Sequence, residues 1–234
     1  MFRRHARAFT LVETLMAVTV MGFATMGIVA FMRQGLKMYY ADRARLMINR
    51  DIRSFTSQMD TDAVTANFFL LYPDFSTRST GSGSSTADAS VADGQVGDFL
   101  LLVYTDPSQT SQGISMITRL VGYYREVTNT TLNSGPVHRF DVDLSAAPVD
   151  VKSAPMYTIL ANKVTGTAAS YPIVTQLAQG LATNASGSTV TPALFYNHQN
   201  RSVMIDTQIS ESLTERGTLS QTGNTYNFTV APRG

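Results

Sequence analysis

The chain is 234 residues long, 44% apolar and only 15% charged, enough for one domain with a sizeable core, or for one domain plus an appendage. Its formal net charge of +1 argues against a dedicated nucleic-acid binder, which would be strongly basic. With no Cys and three His, disulfides, thiolate metal sites and a Cys nucleophile are excluded. No HExxH-like pairing exists, and no cofactor or metal is expected.

Residues 1–8, MFRRHARA, carry Arg3, Arg4 and Arg7 and no acid. Residues 9–32 form an apolar run whose single charge is Glu13. As a helix this run would span about 36 Å, enough for a hydrocarbon core of about 30 Å. The basic stub predicts that its end stays cytoplasmic and the remainder is translocated. Three readings compete. A cleaved secretory signal has an apolar region of about 7–15 residues before a small-x-small site. This run is longer, and Ala30-Phe31-Met32 is a poor site. A plain anchor fits the length but not Glu13, because a carboxylate in a span costs up to about 3 kcal/mol at depth. A cut between Ala8 and Phe9 supplies a partner: Phe9 gains a free α-amino group one helical turn from Glu13.

These residues carry a resemblance. Arg7-Ala8-Phe9-Thr10-Leu11-Val12-Glu13-Thr14-Leu15 resembles the processing signal of type IV prepilins and type II secretion pseudopilins. That pattern has a basic leader, a small residue, then Phe-Thr-Leu-(Ile/Val)-Glu heading an apolar helix. The family usually has Gly where Ala8 stands, which implies slower cleavage. The resemblance implies prepilin cleavage at Ala8 and Phe9, N-methylation of Phe9, and a role for Glu13 in subunit registration. The implied partners are prepilin peptidase, other minor and major pilins or pseudopilins, and inner-membrane lipid before assembly. Nothing suggests nucleic acid. The implied location is the inner membrane, single-pass with the head in the periplasm, then the pilus or pseudopilus.

Beyond Met32 the pattern turns amphipathic. Leu36, Tyr40, Ala44, Met47/Ile48, Ile52, Phe55, Met59 and Ala63 recur at steps of three or four, one apolar stripe on a helix. Arg43, Arg45, Arg50, Asp51 and Arg53 fall largely beside or opposite it. With no Pro before Pro73, one helix is expected from about Phe9 to Leu71. The divisions expected are a leader at 1–8, an apolar half-helix at 9–32, an amphipathic half at 33–72, a loop at 73–97 and a head at 98–234. Residues 76–97 are a Ser/Gly/Thr/Ala/Asp-rich stretch without the Lys of a phosphate-binding loop.

The head reads as β. Asp98–Thr105 is apolar on both faces, a central strand. Ile117–Glu126 is a second strand. Val137–Leu144 alternates, with Phe140, Val142 and Leu144 predicted inward and Arg139, Asp141 and Asp143 outward. Met156–Val164 is a weaker strand candidate, and Pro172–Ala182 is a short helix or a strand. Ala193–Tyr196, Arg201–Ile209 and Thr225–Val230 complete the set. Strands follow one long helix without helical crossovers, so the fold expected is α+β with an antiparallel sheet. The resemblance makes this pilin-like, with the long N-terminal helix packed on the head. Leu46-Met47-Ile48-Asn49-Arg50-Asp51-Ile52-Arg53, Gln176–Leu181 with Phe195-Tyr196, and Tyr226–Arg233 are similar to segments of J-type minor pseudopilins and PilW-like minor pilins.

Chemistry in the head is sparse. Asp141 and Asp143 share a strand face and could bind Ca²⁺ or act as acid and base, but a solvated face shared with Arg139 is favoured. His138 and His198 read as surface or core residues, since no G-x-S-x-G elbow presents a nucleophile. Asp60 and Asp62 read as solvated. The expectation is a structural subunit, a minor pilin or pseudopilin of the initiating or tip complex, and not an enzyme. The alternative is a bitopic inner-membrane protein whose head binds or hydrolyses a periplasmic ligand.

Overall fold

The computed structural model describes residues 10–79, 88–111, 114–150, 154–164, 170–185, 191–215 and 218–232. The chain divides into two compact units, Met1–Ala44 and Arg45–Gly234. Helix α1 (Leu11–Thr65) contributes to both.

In the first unit every residue from Thr10 to Tyr40 is exposed. This part of α1 is long and apolar enough to cross a membrane. Its hydroxyls do not spoil that character. Thr14, Thr19 and Thr25 donate to the carbonyls of Leu11, Met16 and Met21 at 2.9, 2.9 and 2.8 Å, so each O–H is satisfied by its own helix, as an apolar surrounding requires. Leu36 and Tyr40, the first members of the predicted stripe, are exposed.

In the second unit the stripe is buried. Ile48, Phe55, Met59 and Ala63 are fully enclosed and Ile52 partly so. The helix stops at Thr65, six residues before the expected Leu71. Asn67–Tyr72 is apolar all round its last five residues, which suits a strand covered on both faces better than a one-sided helix. It forms β1 (Phe68–Tyr72), antiparallel to β3 (Phe99–Ser111). Asn67 fixes the switch: its N–H donates to the Val103 carbonyl at 3.0 Å and its Oδ1 accepts the Thr105 N–H at 2.7 Å.

The sheet is completed by β2 (Val96–Gly97), β4 (Ile114–Arg125), β5 (Ser134–Asp143), β6 (Ser170–Gly180), β7 (Phe195–His198), β8 (Ser202–Glu215) and β9 (Thr218–Val230). The order is β1-β3-β4-β5-β6-β8-β7-β2, with β9 also on β8, and each pairing is antiparallel. The α+β class with an antiparallel sheet is therefore present. Pro172–Ala182 resolves as β6. Met156–Lys163, read as a weak strand, is helix α2. Its buried Met156, Ile159 and Leu160 follow helical spacing, and they cover the sheet face opposite α1. The segment expected as loop holds a 3₁₀ turn at Ser76–Ser79 and β2, and residues 80–87 lie outside the described set.

β3 is an interior strand, between the edge strand β1 and β4. Phe99, Leu101 and Val103 enter the core on the α2 side, and Leu100, Leu102 and Tyr104 the core on the α1 side. Gly122 of β4 lets this happen: a Cβ there would lie 2.1 Å from the Phe140 ring and 2.9 Å from Phe99. The β7–β8 connection is a three-residue loop between the paired His198 and Ser202, with Gln199 at φ 56° and Asn200 at φ 51° and the Arg201 N–H donating to the His198 carbonyl at 3.1 Å.

Candidate functional site

Two regions carry polar groups in demanding positions. The first is the start of α1. Thr10 precedes the helix, and its N–H and hydroxyl donate to Glu13 Oε2 at 3.0 and 3.1 Å. In return the Glu13 N–H donates to Thr10 Oγ1 at 3.3 Å. This reciprocal pair is a capping box, which satisfies two of the four orphan N–H groups at a helix start. Glu13 is the one charge between Thr10 and Met32, and its carboxylate is held at the helix's positive end. Ala8 and Phe9, the expected cleavage and methylation positions, lie outside the described residues.

The second region is the interior of the head. Asp62 is 3% exposed, not solvated as its sequence context implied. Arg139 reaches it with two bonds, Nε to Oδ2 at 2.8 Å and Nη2 to Oδ1 at 3.2 Å. The Tyr123 hydroxyl donates to Asp62 Oδ2 at 2.5 Å, and the Tyr104 hydroxyl to the Asp62 carbonyl at 2.7 Å. Arg139 continues to Asp141 at 3.1 Å, and Asp141 takes a two-bond clamp from Arg119 at 2.9 and 2.5 Å. On the α1 face of β5 only Arg139 is covered; Asp141 and Asp143 are exposed, as expected. The expected inward face, with Phe140 and Leu144, packs on the α2 side. The misplacement of Arg139 has a physical origin: an alternating strand identifies two faces but does not say which positions a neighbouring helix covers.

The electrostatics follow the geometry. Burial and the Asp62 carboxylate both push the Tyr123 phenol up from its ordinary value. Burial alone would lower Arg139, but the Asp62 bonds outweigh it and hold the guanidinium charged. The Arg119 clamp draws Asp141 below the usual carboxylate range. The Ser145 hydroxyl and N–H do the same for Asp143. Asp141 and Asp143 are therefore engaged by cations and donors of this chain, and no group of three or more metal-ligating side chains occurs among the described residues.

Two further acids act as internal staples. Asp51, expected beside or opposite the stripe, is buried and accepts the Thr175 N–H and hydroxyl at 2.8 and 2.9 Å and the Gln176 N–H at 3.2 Å. Those amides sit where the β5–β6 register shifts, so a carboxylate replaces missing ladder partners. Asp98 accepts Arg125 Nη2 at 2.5 Å and the Leu194 N–H at 2.8 Å. Burial raises its carboxyl, while Arg125 and Leu194 pull it back. The signal for Asp51 and Asp62 was in the stripe itself. Asp51 lies three residues after Ile48 and four before Phe55, and Asp62 lies three after Met59, so both sit on the buried face.

Asp60 is exposed, as expected. His138 stacks on Tyr124 with ring centroids 5.3 Å apart, and His198 is exposed beside Tyr196; among the described residues neither joins a Ser or an Asp in a nucleophile arrangement. Comparison of the chain with protein-family models gives no match, and comparisons with curated proteins and with solved structures give none either.

Proposed function

We propose that the chain is a minor pilin or pseudopilin, a structural subunit of a type IV pilus or type II secretion pseudopilus that works in the initiating complex and has no catalytic activity. It enters the inner membrane with its head in the periplasm, is cut between Ala8 and Phe9 by prepilin peptidase, is N-methylated on Phe9, and joins other pilins or pseudopilins. The observation that carries this reading is the lone carboxylate of Glu13 at the head of the otherwise uncharged, exposed Leu11–Met32 stretch of α1. In a bundle of such helices an unpaired carboxylate is costly, and the Phe9 ammonium of a neighbouring subunit neutralises it at one axial depth only. Support also comes from the order of parts, an apolar helix that continues as an amphipathic one on an antiparallel sheet.

The capping box favours a second reading, a plain bitopic anchor whose periplasmic head binds or turns over a ligand. There Glu13 serves only its own helix end. Two substitutions separate the readings. Gln at this position keeps a capping box but carries no charge. Glu13→Gln therefore loses co-purification with partner subunits if pairing with an ammonium matters, and behaves as wild type if the cap is all that counts. Glu13→Ala loses both functions and still inserts. The mature N-terminus, read by mass spectrometry, begins at N-methylated Phe9 and is reached faster with Ala8→Gly. An uncut chain in cells with active peptidase, or wild-type co-assembly of Glu13→Gln, refutes the subunit reading.

A further inference from the structure

The sheet has one long edge that nothing in the described structure covers. β9 pairs with β8 alone. Its ladder runs through thirteen consecutive pairs, from Val203↔Val230 to Glu215↔Thr218, with no register shift; the β3–β4 and β5–β6 ladders both have such breaks. Among the described residues, no hydrogen bond reaches the main chain of Gly223–Val230 from any segment other than β8. Helix α1 touches β9 through side chains only. Phe55 meets Phe228 edge to face at 5.9 Å, the Thr56 and Tyr226 hydroxyls are hydrogen-bonded, and Asn224 Nδ2 donates to Asn49 at 3.2 Å.

Open edges are normally blunted by Lys or other charges, by Pro, by a bulge or by shortness. β9 uses none of these: Thr218–Val230 contains no charged residue and no Pro, it is regular, and it is thirteen residues long. Its described part alternates cleanly. Tyr226, Phe228 and Val230 turn toward the core, and Thr225, Asn227 and Thr229 are exposed.

We propose that the free edge of β9 over Gly223–Val230 is a docking edge, which accepts an extended strand donated by a different polypeptide of the same assembly. The occupant follows from the chemistry presented. A row of main-chain N–H and C=O groups about 27 Å long is matched only by another extended backbone. The uncharged Thr and Asn side chains on its open face suit an uncharged, Thr/Ser/Asn-bearing segment. A second copy of this chain does not fit. Antiparallel β9–β9 pairing is isologous and is closed by a two-fold axis, whereas a subunit built into the proposed filament meets its neighbours through heterologous, head-to-tail contacts. The inference rests on the subunit reading above.

The test is made on the full-length protein in its native membrane. A photo-crosslinking amino acid is placed singly at Thr225, Asn227 or Thr229, with Glu126, exposed elsewhere on the head, as the control position. The expected result is an adduct to one other filament subunit from all three β9 positions and none from Glu126. The crosslinked residue moves two positions along the partner when the probe moves two, the signature of a ladder. Amide exchange within Gly223–Val230 slows by about tenfold or more in the co-purified complex relative to the protein expressed alone. A β9 adduct to a second copy of this chain, or adducts that do not step with the probe, overturns the proposal. If the chain co-purifies with filament subunits but β9 gives no adduct, the docking edge is wrong and the subunit reading stands. If neither co-purification nor adduct is found, both fall.

Discussion

Asp62 sits in the last helical turn of α1, where a negative charge opposes the helix dipole and no basic residue of the same turn offsets it. Arg139, Tyr123 and Tyr104 supply what the helix lacks. Breaking a buried pair by removing one partner typically costs about 3–5 kcal/mol, whereas replacing both with apolar residues is often near neutral. Asp62→Ala is thus expected to lower stability by about 3–5 kcal/mol, and the Asp62→Leu/Arg139→Leu pair by much less, measured by denaturant unfolding in detergent. Equal losses in the single and double variants would show that the ion pair itself, and not the stranded arginine, holds the site. Asp141 gives a pH prediction. Its carboxyl is held low by Arg119, so its contribution is complete above its unfolded pKa of about 3.9 and is lost as the pH falls through its lower folded value. Asp141→Asn should therefore lose stability near neutral pH and show a shallower acid limb below about pH 4 than wild type. An unchanged acid limb would place the acid sensitivity elsewhere.

At the scale of elements, α1 is held on the sheet by one aromatic side chain more than any other. Phe55 is fully buried between Tyr123 and Phe228, with ring centroids 6.0 and 5.9 Å away, both edge to face. Phe-to-Ala truncation in a packed core costs about 3–5 kcal/mol. Phe55→Ala should lower the melting temperature of the detergent-solubilised chain by many degrees; a shift under one degree would mean that the helix is not seated as described. The strands were legible for a different reason. Phe99–Tyr104 is apolar at consecutive positions, and only a strand between two cores or a buried helix segment tolerates that. Met156–Lys163 was misread because eight residues cannot separate a helix from a strand by periodicity. What settles it is that Met156, Ile159 and Leu160 meet one sheet face.

For the whole molecule, the exposed apolar surface of α1 from Leu11 to Met32 is the feature that makes the chain compatible with a membrane. Burial of such a surface is worth about 25 cal/mol per Å², and no segment among the described residues provides it. The chain should sediment with membranes, resist extraction by salt, and dissolve in detergent with its Phe9–Met32 segment intact. Recovery as a soluble protein lacking that segment would convert the run into an ordinary signal peptide and remove the basis for the subunit reading.

The amino-acid order alone determined the parts that depend on local pattern. Those were a span-length apolar run with a single carboxylate at Glu13, a helical stripe through Ile48, Phe55 and Met59, and a β-rich head. Each is a statement about periodicity or length, which neighbouring residues carry by themselves. The capping partnership of Thr10 with Glu13 was equally local, at spacing i to i+3, and could have been read from the same letters. Only the tertiary structure decided that Arg139 is buried, which groups Asp51 and Asp62 staple, and that β9 keeps an open edge. Those outcomes depend on which strand lies beside which and what covers each face. Arg139 lies 77 residues from Asp62 along the chain, and Thr175 lies 124 from Asp51. No local pattern links residues so far apart; the pairing of β4 with β5 and β5 with β6, under a helix that crosses them, brings the charges together.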